Sequence, residues 1–198
     1  MTDTKNILNF LHTIEHLKLE KRTGWRRCGI PVAKSESIAD HMYRMAMMVL
    51  VLQDDLDSTE KIDKFKLLKM VLVHDMAEAI VGDITPHCGV PEAEKYRREN
   101  EAMQTFRTLL GKNPFGGEAY ELWLEYSANI TLTAQLAKQV DKAELYVQVV
   151  EYENRFKINF QDWLDGLRPK ISHPALLAII DAAELERPAD FLAAKLKK

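Results

Sequence analysis

Apolar residues recur along most of the chain at spacings of three and four, the period of helices with one buried face. Ile7, Leu8, Leu11, Ile14 and Leu17 predict a first helix over about 4–20. The stretch KRTGWRRCGIPVAKSES breaks the period with Gly24, Gly29 and Pro31, and reads as a loop. Ser37 is suited to cap a helix start, and a second helix is expected from there to about 53. A third covers about 60–81 and stops at Gly82, after which Pro86 and Pro91 bracket a turn. A fourth runs from about 91, where proline suits a first turn, to 110. Beyond a GKNPFGG loop, helices are expected at about 117–128, 131–156, 159–167 and 174–186, with a short last one at 189–197. No segment alternates as a strand would, nothing repeats, and the linkers are too short for a domain boundary. The expected fold is all-α, one domain over residues 1–198.

One stretch sits badly in that pattern. LVHDMAEAIVGDIT, residues 72–85, carries His74, Asp75 and Glu78 among Val71, Val73, Ala77, Ile80 and Val81. An ionised carboxylate buried without a partner costs several kcal/mol or takes up a proton. Buried arginines would relieve it, and so would a cation. His74 and Glu78, four apart, share a helix face, with Asp75 beside it. Imidazole nitrogen and carboxylate oxygen together suit a divalent metal. Adjacent residues point about 100° apart, so His74 and Asp75 reach one ion only over the seam between them. The second helix offers His41 beside Ile38, Met42 and Met45; the long 131–156 helix offers Asp141. Two imidazoles and two carboxylates would leave positions open for water and substrate, the pattern of a catalytic site. Taken singly, His41 reads as a hydrogen-bonded structural residue, and Asp141 as belonging to an alternating charged face, KQVDKAE.

Composition narrows the classes. A hydrophobic share of 46% is ample for one sizeable core, and a net charge of −3 suggests neither a nucleic-acid nor a membrane-surface binder. The longest apolar run, MAMMVLVL, is too short to span a bilayer. The first residues do not read as a signal peptide, and the two cysteines, Cys28 and Cys88, lie far apart without C-x-x-C spacing. The expectation is a cytoplasmic protein.

The order His…His-Asp…Asp on separate helices resembles the HD-domain metal-dependent phosphohydrolases. ESIADHMYRMAMM, LVHDMAEAIVGDI and KQVDKAELYVQVVEYE, in that order, look like the 5′-deoxynucleotidase branch of the HD-domain-containing 2 type. The resemblance covers about residues 5–187, with RTGW at 22–25 and EKYRRENEAM at 94–103 similar to the eukaryotic members. It implies an HD-domain helical bundle and hydrolysis of deoxyribonucleoside 5′-monophosphates to deoxynucleoside and phosphate. It also implies one metal on His41, His74, Asp75 and Asp141, and a homodimer.

Glu78 and Asp83 match the family's HD-x-x-E-x(4)-D pair, which implies acid/base work and organisation of the sugar or phosphate site. A second metal, magnesium, is implied near Glu78, Asp83 and the Ile84 carbonyl. Arg22 and Trp25 match the bacterial Arg-Trp that contacts substrate, but here Thr23-Gly24 separates them; Trp25 reads either as a stacking surface or as a loop anchor. Glu36 and Ser37 fall where the family discriminates the sugar. KYRREN at 95–100 reads as a solvated helix face outside the site.

The chemistry fits these residue types. Phosphate monoesters hydrolyse extremely slowly unaided, and a divalent ion supplies both a nucleophile and charge neutralisation. A carboxylate beside the reacting water takes its proton or protonates the leaving oxygen. The HD site would take manganese, cobalt, iron, zinc or copper; the donor set does not choose. Competing expectations are a triphosphohydrolase or cyclic-nucleotide phosphodiesterase of the same fold, and a nucleotide-binding module without turnover.

Overall fold

Twelve α-helices carry the described residues, 3–52 and 62–195, of the computed structural model. They are α1 (Thr4–Ile14), α2 (His16–Leu19), α3 (Thr23–Arg27), α4 (Ile38–Val51), α5 (Lys64–Val73), α6 (Glu78–Val81), α7 (Glu92–Leu110), α8 (Pro114–Ala128), α9 (Leu132–Phe156), α10 (Gln161–Leu167), α11 (Pro174–Leu185) and α12 (Ala189–Lys195). Among the described residues the one β contact is an isolated bridge between Lys21 and Ser37, so the all-α expectation is met. No helix among them is long and apolar enough to cross a membrane. The expected helix ends at 53, 60 and 197 lie outside the described residues.

The bundle is built around α9, which packs on α4, α5, α8, α10 and α11. Its Ala134, Ala137, Val140, Ala143 and Val149 are wholly enclosed, as are Met45 of α4 and Leu67, Met70 and Val71 of α5. Small alanines on α9 let its neighbours come close, and the larger side chains opposite fill the space. Each such side chain contributes roughly 1.5–3 kcal/mol on burial. Truncating Leu67 to alanine would cost about 2–5 kcal/mol.

Four departures from the sequence pattern have local causes. The 21–37 loop contains α3, whose first N–H, that of Thr23, donates to the Asp83 carboxylate 2.5 Å away. That cap comes from a residue remote in sequence, so no local signal marks it. GKNPFGG is partly helix: the Asn113 side chain caps Phe115 N–H, Pro114 opens α8, and Gly116 lies against α7, where a Cβ would sit 3.0 Å from that of Leu110. The first expected helix divides at Glu15, and its predicted buried stripe is only partly covered: Leu17 is enclosed, while Leu8 and Leu11 are exposed. The third expected helix divides at His74 into α5 and α6, which bears on the site.

Candidate metal and phosphohydrolase site

The break after α5 follows from His74 itself. Its Nδ1 lies 3.0 Å from the Val71 carbonyl, the acceptor that a continuing helix would offer to the Asp75 N–H. The chain instead tightens, with Met76 N–H bonded to Val73 and Glu78 N–H to Asp75. A carbonyl only accepts, so Nδ1 carries the proton and Nε2 faces the Asp75 carboxylate, 3.0 Å from Oδ2.

His41 is placed by α4. Ser37 and Asp40 form a reciprocal cap at its start, and His41 follows within the first turn, fully buried. Its Nδ1 bonds the Glu144 carboxylate. Glu144 is also held by Arg44 Nε at 2.6 Å. The other ring nitrogen, Nε2, is buried with no hydrogen-bond partner, 3.4 Å from Asp141 Oδ1. Burial and Arg22 oppose charging this ring, but Glu144 and Asp141 outweigh them and raise it to about 9. The Asp141 carboxylate accepts from Lys142 at 2.7 Å and from the Tyr126 hydroxyl at 3.3 Å. Burial alone would raise its pKa; Lys142, His41 and His74 overcome that and hold it well below the carboxylate range. Asp75 is likewise held low against burial, chiefly by His74 and then by Arg22.

His41, His74 and Asp141 fit a cation as placed, while Asp75 stands outside that set with its Oδ2 against His74 Nε2. One donor atom each from His41, His74 and Asp141 lies within 4.8 Å of the others. Ligands bonded at about 2.0–2.2 Å around one ion stand up to roughly 4.4 Å apart, so the donors need little movement. Glu36, His41 and Glu144 also cluster, but His41 Nδ1 is committed to Glu144, and Glu36 Oε1 accepts from Trp25 Nε1 at 2.8 Å. The orphaned nitrogen belongs to the first set. Glu144 fills the position of an outer carboxylate that orients a ligand histidine.

A cavity of about 360 Å³ opens beside these donors. His74, Asp75 and Asp141 line it, together with Glu78, Asp83 and Ile84. Glu78 is buried, with Oε2 unpartnered; burial, then Asp75 and Asp83, push its carboxyl well above the usual range, against a smaller pull from Arg22 and Lys95. Asp83 follows Gly82, whose φ of 74° turns the chain back after α6, as glycine allows. Its carboxylate already accepts from Thr23, and its carbonyl accepts from the Thr23 hydroxyl at 3.1 Å. Arg22 also lines the cavity, 3.5 Å from Asp75 and 3.7 Å from Glu36.

The substrate-side expectations land differently. Trp25 is only 1% exposed, stacked on Trp163 at 4.9 Å and edge-on to Tyr152 at 4.7 Å. It sits in α3 as an anchor, the second of the two readings left open for it. Glu36 is buried behind Arg22, and the Ser37 hydroxyl is engaged in capping α4. KYRREN divides: Arg97 and Arg98 pair with Glu94 on an exposed face, whereas Lys95, Tyr96 and Glu99 line the cavity. Sequence reasoning missed those three, and also Tyr126, Lys138, Lys142 and Glu144. Glu144 has a signal in hindsight: it lies three residues after Asp141, on the same turn of α9.

Buried imidazoles and carboxylates from separate helices around one cavity define a metal-dependent helical hydrolase site. A family model described as HD domain matches residues 14–173, and the chain belongs to that family. The 5′-deoxynucleotidase HDDC2 of Bos taurus is 42% identical over 192 residues, 96% of this chain and 90% of its own length. The Homo sapiens protein of the same name is 39% identical over the same shares. A conserved hypothetical protein from Pyrococcus furiosus, 30% identical, superposes with a TM-score of 0.70 over 89% of this chain and 98% of that chain.

Proposed function

We propose that this protein is a metal-dependent 5′-deoxynucleotidase, hydrolysing deoxyribonucleoside 5′-monophosphates to deoxynucleoside and phosphate. The observation that carries the reading is the orphaned His41 Nε2, enclosed beside Asp141 and His74 at a cavity that also holds Glu78. The names of the relatives support the substrate class.

His41, His74, Asp75 and Asp141 would hold the cation, drawn from manganese, cobalt, iron, zinc or copper; with Glu78 ionised instead of acting in proton transfer, Glu78, Asp83 and the Ile84 carbonyl would hold magnesium. A bound divalent cation supplies positive charge at the phosphoryl oxygens and lowers the pKa of water. The chain's residues do the rest. Glu78, whose carboxyl burial and its acidic neighbours push well above the usual range, donates a proton to the leaving 5′ oxygen and takes one from the attacking water. Arg22, Lys95, Lys138 and Lys142 line the cavity and offset the phosphate dianion. Asp83 fixes the edge of the site by holding Thr23 of α3, which keeps Arg22 in place. Glu36 and Ser37 back that edge and bear on sugar selection through Arg22 and α4.

The four cationic side chains also leave room for a triphosphohydrolase reading, although Arg22 and Lys142 pair with Asp75 and Asp141, and Lys95 faces Glu99. Product analysis separates the classes: deoxynucleoside and phosphate from a monophosphate, nucleoside and inorganic triphosphate from a triphosphate, or a nucleoside monophosphate from a cyclic nucleotide.

We further infer a cytoplasmic homodimer. Both cysteines are free thiols. Tyr43 of α4 and Leu72 of α5 are exposed at an apolar groove of about 330 Å³ lined also by Phe10, Ile14 and Met42, and Leu8 and Leu11 of α1 and Met47 and Val51 of α4 are exposed on the same helices. A second copy would cover this face. Sedimentation of the wild type beside Met47→Glu tests it: a monomeric wild type overturns the inference.

A further inference from the structure

A second hollow, of about 540 Å³, adjoins the metal cavity. Arg22, Asp83, Thr85, Pro86 and Lys142 line both, so the two meet along the edge formed by α3 and the 83–86 segment. The first is walled mainly by ionisable groups. The second differs: Trp163, Leu145 and Leu167 give it apolar walls, and Arg27 and Lys170 add positive charge. Its size suits an aromatic heterocycle with its sugar.

Trp163 is held in a fixed pose. One face lies on Trp25, the ring planes 21° apart, and Phe160 packs on it at 5.8 Å. Gly24 of α3 lies under the ring edge, where a Cβ would come 3.2 Å from the Trp163 ring. The glycine that separates Arg22 from Trp25 therefore makes space for Trp163. Half-buried, the ring lines the hollow on a rigid aromatic support.

We propose that this hollow is the nucleoside subsite, with Trp163 as the platform on which the base stacks while the 5′-phosphate lies in the metal cavity. The proposal rests on the nucleotidase reading and deepens it. Every base has a π face, so a stacking platform accepts all of them, and the larger purine rings gain more than pyrimidines. Trp25, buried beneath, is a positioning residue for the platform.

The test compares each nucleotide with 2-deoxyribose 5-phosphate, which keeps the sugar and phosphate but lacks a base. For metal-loaded wild type, kcat/KM should favour dGMP over 2-deoxyribose 5-phosphate by roughly 5- to 150-fold, the range of base stacking on an aromatic side chain. In Trp163→Ala that ratio should collapse towards one, mostly through KM, with little change for 2-deoxyribose 5-phosphate. Trp163→Phe keeps a ring against Trp25 and should lose some of the ratio, which serves if the alanine protein does not fold. A wild type that cleaves both compounds equally overturns the subsite. So does an unchanged ratio in a folded Trp163 variant, or an equal loss on both substrates. Failure of the nucleotidase reading looks different: no phosphate release from either compound.

Discussion

Glu78→Gln removes the proton-transfer capacity of one buried carboxyl while keeping its size. Glu78 is 6% exposed, and one of its oxygens has no partner. Burial, with Asp75 and Asp83 behind it, disfavours its ionised form. The amide has nearly the same shape and is still polar, so the substitution should change the melting temperature little. Turnover should fall. General acid–base groups typically contribute about 10²–10⁴-fold, which is about 2.7–5.4 kcal/mol of barrier. Glu78→Ala should behave alike. The assay is phosphate release from dAMP at saturating metal, read beside metal content and circular dichroism. The expected result is full first-site metal, native helix content and a turnover lower by at least a hundredfold. Wild-type turnover in the glutamine variant would remove the acid/base role. Loss of metal in step with loss of turnover would make Glu78 a ligand of the first cation instead.

Asp75→Ala and His74→Ala should lose transition metal and activity together, by elemental analysis and phosphate release; a variant with stoichiometric metal and normal turnover contradicts the ligand set. Glu144→Gln should weaken metal binding roughly 10–100-fold while leaving a folded protein, since outer-carboxylate changes act on that scale. Metal affinity should rise with pH and level off near 9. A ligand imidazole must be neutral, and the metal-free His41 is raised to about 9, so protons compete below that value; calorimetric titration at several pH values reads the slope. Deoxyribonucleotides should be cleaved faster than ribonucleotides, with little dependence on the base beyond ring size, and equal rates on both sugars would remove the sugar preference.

His74, Asp75 and Glu78 were legible because three ionisable groups interrupt an apolar run, and burial makes such groups conspicuous. The helical fold was legible for the related reason that the buried faces repeat at the helical period. The break at His74 was not, because it depends on an imidazole taking a backbone carbonyl, which leaves no trace in the spacing. Glu144 was hidden in an alternating charged face that would look the same on a solvated helix. Trp25 was open to two readings because its neighbours Trp163 and Tyr152 come from far along the chain, and α3 is capped by Asp83. Lys95 and Tyr96 face the cavity while Arg97 and Arg98 face solvent, a division set by how α7 lies against α6 and α8.

The central claim is tested most directly by phosphate release from dAMP, AMP and dATP with one preparation, stripped by chelator and then reloaded with single divalent metals. The account predicts no release from the stripped protein, recovery with at least one of manganese, cobalt, iron, zinc or copper, and a preference for dAMP. Undiminished activity after stripping, or release of inorganic triphosphate from dATP with no phosphate from dAMP on reloading, would contradict it.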